Sequence, residues 1–101
     1  MKIAVLTIAY NDQHNLRACI NNWKGVADKH LVLVSEIPWK GKPYPRDKSW
    51  EVADSMGVEA VLGRWTSEAM QRNWGLARLL DYDYVLIVDS DEFFTKEDQM
   101  A

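Results

Sequence analysis

Residues 2–10 read KIAVLTIAY, an apolar and largely β-branched run with no polar alternation. A strand of that kind is buried on both faces, as in a parallel sheet covered by helices. Asn11-Asp12 breaks the run, and either residue can cap a following helix. Leu16, Cys19, Ile20 and Trp23 then fall at i, i+3, i+4 and i+7, one apolar helical face, with Gly25 placed to end it. His30 to Ser35 (HLVLVS) is a second strand. Strand, helix and strand at this spacing predict a βαβ unit.

The pattern continues outward from that unit. Residues 37–48 (IPWKGKPYPRDK) hold all three prolines and form a loop. Ser49 is expected to cap a short helix with Trp50, Ala53 and Met56 on one face and Gly57 as its stop. Val58 to Leu62 is a third strand. Ser67 is expected to cap a longer helix to about Leu80, with Ala69, Asn73, Leu76, Ala77 and Leu80 inward. Tyr84 to Val88 is a fourth strand. The fold class is therefore α/β, a mostly parallel sheet flanked by helices, in one domain over residues 1–101. In such sheets ligands bind beyond the carboxyl ends of the strands. Tyr10-Asn11-Asp12, Ser35-Glu36 and Asp89-Ser90-Asp91 are all expected there.

Composition narrows the function. The net charge of −3 argues against nucleic acid as a partner. A single cysteine, Cys19, allows no internal disulfide and fits a reducing, cytoplasmic setting. No apolar run approaches the roughly 20 residues of a membrane span, and no signal peptide is evident. Lys40, Lys42, Arg46 and Lys48 crowd the Pro-rich loop and read as a solvated basic surface. Asp89 and Asp91 differ, because two carboxylates one residue apart at a strand's end suit a hard divalent cation shared with phosphate. His14 and His30 lack metal-ligand spacing. Trp39, Trp65 and Trp74 read as packing residues.

Val88-Asp89-Ser90-Asp91-Glu92-Phe93 resembles the DxD segment of family-2 glycosyltransferases of the GT-A fold. Gln71-Arg72-Asn73-Trp74-Gly75-Leu76 resembles the Arg-Asn-x-Gly-Leu pattern that these enzymes carry upstream, and Thr7 to Asp12 resembles their first strand and Tyr-Asn-Glu turn, with Asp12 replacing Glu. The resemblance covers nearly the whole chain. It implies a Rossmann-like half that binds a nucleotide-diphosphate sugar for transfer to a glycan, lipid or protein acceptor. By the same resemblance Tyr10 lies against the base and Asn11 beside it. Glu36 stands where the family has a uracil-contacting Asp. Arg72 faces the base or diphosphate, Asn73 braces the site, and Asp89 contacts the ribose or a metal-bound water. Asp91 ligates Mn²⁺ or Mg²⁺ with Asp89 beside it.

In the family, the acceptor half and its general base lie downstream of the DxD, whereas this sequence stops ten residues after Asp91. The expectation is a chain truncated after the motif, without a catalytic base and inactive alone. A non-enzymatic nucleotide-binding fragment is the alternative. A haloacid-dehalogenase-type phosphohydrolase fits less well, since its Asp-x-Asp opens the domain. A sugar nucleotidyltransferase would need a Gly-rich loop after the first strand, and an EF-hand loop would need a glycine and terminal glutamate that are absent. An unprotected sheet edge and five tryptophans point to self-association.

Overall fold

The structure, a computed structural model, describes residues 1–42 and 45–90. Four strands, β1 (Ile3–Ala9), β2 (Lys29–Ser35), β3 (Glu59–Gly63) and β4 (Tyr84–Asp89), form one all-parallel sheet in the order β3-β2-β1-β4. Helices α1 (Gln13–Trp23), α2 (Ser49–Ser55) and α3 (Glu68–Leu76) connect them in turn. The α/β architecture and all four strands are those the sequence predicts.

Both faces of the central strands are covered. Val5, Thr7 and Ala9 of β1 and His30, Val32 and Val34 of β2 face α1 and α2, packing with Leu16, Cys19, Ile20, Trp23 and Ala53. Ala4 and Leu6 with Leu31 and Leu33 face the other way, against Trp65, Trp74, Leu76 and Leu79. The continuous apolar run of β1 is the consequence of that double burial. The first three strands progress in one direction across the sheet, and α3 then carries the chain back over β1 to place β4 on its far side. The reversal makes the boundary between β1 and β4 a topological switch point, with the two strands paired out to Ile8 and Asp89.

The inward face of α3 differs from expectation. Gln71, Gly75 and Leu79 are buried, at i, i+4 and i+8, whereas Ala69, Asn73, Ala77 and Leu80 are exposed, and the helix ends at Leu76. The cause is steric. A Cβ on Gly75 would stand 2.6 Å from Leu6 Cδ1 and 3.0 Å from Leu33 Cδ1, so the helix backbone lies directly on β1 and β2. A count of apolar side chains cannot register a face whose centre is a glycine and whose entry is a glutamine. Ser67 does cap α3, accepting from the Met70 amide at 3.1 Å.

Under the α1 face, His30 Nε2 and Thr7 Oγ1 share a hydrogen bond of 2.7 Å, and Cys19 Sγ lies 3.8 Å from the same hydroxyl. Burial lowers the His30 pKa from 6.5 to about 4. The folded chain therefore refuses a proton that the unfolded chain accepts between those values. This stability is fully present above pH 6.5 and is lost as the pH falls toward 4.

Two predictions follow from this packing. Urea unfolding of the wild type should show about 2 kcal/mol less stability from this group at pH 5 than at pH 7, given a folded pKa near 4. His30→Gln should lose that component of the slope, while His14→Gln, at an exposed ring, should keep it. Gly75→Val should lower stability by about 2 kcal/mol through overpacking. Combined with Leu6→Ala, the cost should fall below the sum of the two, because the truncated leucine vacates the space the new side chain needs.

Candidate functional site

The carboxyl ends of β1, β2 and β4 share one edge of the sheet. Tyr10 and Asn11 follow β1, Glu36 follows β2, and Asp89 ends β4 directly opposite Ile8 of β1. The chain turns sharply after Tyr10 because Asn11 adopts a positive φ of 44°, a conformation that asparagine tolerates better than most residues. The Asn11 side chain then engages the Pro-rich loop, donating to the Pro45 carbonyl and accepting from the Asp47 amide, each at 3.2 Å. Its amide is directed at protein backbone.

Capping here is reciprocal rather than local. Asp47 accepts from the first amide of α2, Ser49, at 2.8 Å and from the first amide of α1, Gln13, at 3.1 Å. Gln13 Oε1 in return accepts from the Lys48 amide at 2.7 Å. Asp12, at the start of α1, makes no side-chain cap, and Ser49 is the first residue of α2 rather than its cap. The Ser49 hydroxyl instead accepts from the Asp12 amide at 2.8 Å. Freed from capping, the Asp12 carboxylate accepts from Asn15 Nδ2 and from the Ser90 hydroxyl, so it ties the turn after β1 to the turn after β4.

Above this edge, on the α3 face, lies a cavity of about 630 Å³. It is lined by Ile8, Ala9 and Tyr10 at the end of β1, by Ile37, Pro38, Trp39 and Lys40 after β2, and by Thr66, Ser67 and Glu68 at the start of α3. The lining is mainly apolar with a few polar groups at the rim, the usual character of a small-molecule site. Asp89, exposed at its end of β4, belongs to the strand beside the lining residue Ile8.

The other predicted residues are distributed around this cavity. Glu36 does not line it; its carboxylate pairs with Arg64 at 3.4 Å, and its amide donates to the Gly63 carbonyl at 2.7 Å. Arg72 is half-buried one turn after Glu68, outside the cavity lining, and Asn73 is exposed. Asp91 lies outside the described residues. Among the described residues, no three His, Cys, Asp or Glu side chains group as a metal cage.

Three residues of the site carry roles that sequence reading did not assign. Asp12 joins two turns. Trp39, expected as packing, is 41% exposed and forms cavity wall, whereas Trp65 is buried and meets the half-buried Trp74 edge to face at 5.6 Å. Gln71 is 1% exposed and holds Trp39. The signal for Gln71 was its spacing from Gly75 and Leu79; the contacts of Asp12 and Trp39 are set by residues distant in sequence and left none.

No family model matches the chain. Over 96 residues it is 29% identical to a protein of Rickettsia bellii (strain RML369-C) named as an uncharacterized glycosyltransferase. The match takes in 95% of this chain and 30% of that relative's length. Along nearly its whole length, then, the chain is similar to under a third of a protein named as a glycosyltransferase.

Proposed function

We propose that the chain is the donor-binding part of a glycosyltransferase and takes a nucleotide-diphosphate sugar at the carboxyl edge of its sheet. The observation that carries this reading is the register of Ile8 with Asp89, which sets a carboxylate beside the lining of the 630 Å³ cavity at the switch point of the sheet. The similarity to a named glycosyltransferase supports it. So does the order of the three motifs along the chain.

In this reading the cavity receives the nucleoside, with Tyr10 in its lining, and the diphosphate extends toward Asp89. Arg72, from the neighbouring turn of α3, reaches the diphosphate with its fork of donors. With no three-residue cage among the described residues, a cation at Asp89 would draw on Asp91 and on the phosphates, the usual arrangement for Mg²⁺ or Mn²⁺. Such a cation would neutralise the charge of the diphosphate leaving group. The task of the chain itself is to hold and orient the donor. Acceptor binding and proton removal are not among the tasks of these residues.

Calorimetry with uridine diphosphate, and with the other nucleoside diphosphates, tests the proposal. Binding should require Mn²⁺ or Mg²⁺, and metal affinity should rise with nucleotide, as linkage demands. Asp89→Asn and Asp91→Asn should each weaken both by at least about tenfold, a loss seen even for residues behind a metal's direct ligands. Asp98→Asn should change neither. Tight nucleotide binding in excess chelator, unaltered by Asp91→Asn, would overturn the metal assignment. The absence of binding by every nucleotide would overturn the donor reading.

A further inference from the structure

The indole of Trp39 is exposed over 41% of its surface, yet it is fixed in place. Its Nε1 donates to Gln71 Oε1 at 2.9 Å, and Gln71 Nε2 donates to the Leu33 carbonyl at 2.9 Å. The direction of this relay is dictated by chemistry. A carbonyl only accepts and an indole N–H only donates, so the amide must present its nitrogen to β2 and its oxygen to Trp39. Gln71 is among the largest fully buried side chains of the described residues. Burying a polar side chain of that size is costly unless both ends of its amide are satisfied. Here each end is satisfied, and the result is an aromatic ring held at the wall of a cavity.

Packing alone does not account for this arrangement. Trp65, a packing tryptophan, is buried, whereas Trp39 keeps surface open beside the apolar Ile37 and Pro38. Proline fixes its own φ, which stiffens the segment that carries the ring. A wall ordered in advance gives up little conformational entropy when a ligand arrives.

The geometry points to Trp39 as the residue against which a planar heteroaromatic base stacks, with Gln71 as the positioning residue that holds its ring. The inference rests on the donor-binding reading and deepens it by naming the wall that takes the base. The loop bearing Trp39 follows β2, and Asp89 ends β4, two strands away across β1. Neighbouring strands are separated by roughly 4.8 Å, so about 10 Å divides the strand ends that serve the base from those that serve the phosphates. A nucleoside lying across the sheet edge spans such a gap.

The test uses nucleoside 5′-monophosphates in the absence of metal, which separates the ring from the carboxylate end of the site. The readout is the ¹⁵N-labelled Trp39 indole resonance, identified by its loss in Trp39→Phe, together with dissociation constants from titration. At least one monophosphate should shift this resonance, and ribose 5-phosphate, which lacks a base, should not. Trp39→Leu should weaken binding by about tenfold, within the range for one base on one aromatic ring. Trp39→Phe, which retains a ring, should lose less. Gln71→Met should weaken binding while leaving the far-ultraviolet circular dichroism unchanged, and adding it to Trp39→Leu should cause no further loss. That non-additivity is what a purely structural glutamine would not produce.

Nucleotide binding that is indifferent to Trp39→Leu would overturn the inference and leave the donor reading standing. Ribose 5-phosphate binding as tightly as the nucleotides, with the same dependence on Trp39, would overturn stacking of a base in favour of a sugar. A Gln71→Met loss that adds fully to that of Trp39→Leu would remove Gln71 from its positioning role. No response to any monophosphate, with diphosphates still binding in the presence of metal, would likewise reject the Trp39 wall.

Discussion

The contact between the Gly75 backbone and the side chains of Leu6 and Leu33 sets the geometry on which the candidate site depends. With no Cβ at that position, α3 settles directly on β1 and β2. One turn earlier, this brings Gln71 within hydrogen-bond distance of the Leu33 carbonyl and of Trp39. Another turn earlier, it sets Ser67 and Glu68 in the lining of the cavity. The placement of the α3 residues that line the cavity thus depends on a close helix-to-sheet approach, which the smallest residue in the interface permits. Glycine weakens a helix by roughly 1 kcal/mol relative to alanine, a cost offset here by the close packing it permits.

The opposite face of the sheet has a different character. There Thr7, Cys19 and His30 form a closed polar knot beneath α1, with the cysteine and threonine fully buried. The α3 face is closed over β1 and β2 by Leu6, Leu31, Leu33 and Trp65 and has a cavity at the carboxyl ends of the strands. That cavity is lined by the end of β1 and by the segments that follow β2 and β3, while β4 runs alongside, paired with β1 as far as Ile8 and Asp89. The Asp12–Ser90 hydrogen bond couples the turn after β1 to the turn after β4.

What the sequence revealed and what it concealed divide along the range of the interactions. Strands β1 and β2 were readable because burial on both faces leaves an uninterrupted apolar run, and the site edge followed from the parallel arrangement alone. The Ser67 cap was readable because it acts within its own first turn. Asp12 and Ser49 misled for the converse reason: each has the side chain of a cap, but Asp12 accepts from Ser90 and Asn15, Ser49 accepts from the Asp12 amide, and Asp47 serves the first amides of both α1 and α2. On α3, helical spacing points to Ala69, Asn73, Leu76, Ala77 and Leu80, of which Leu76 alone packs on the core, because the spacing gives weight to side chains while the true interface is built around the absence of one. Trp39 was read as packing because composition carries no information about Gln71.

The strand bearing Asp89 is also the least covered. Among the described residues, β4 has a pairing strand on one side only, and Tyr84, Leu86 and Ile87 are exposed along it. Helices α1 and α3 sit over the middle of the sheet, so they shelter β1 and β2 more fully than β4. An exposed apolar edge strand is a poor place for a residue that must be held rigidly. Among the connections that hold this segment are the ladder to β1, which sets Asp89 against Ile8, and the Ser90 bond to Asp12. Both lead back to the same strand and turn. The backbone that carries the carboxylate is therefore tied to β1, a strand buried from Ala4 to Ala9, although the carboxylate itself lies on an exposed edge.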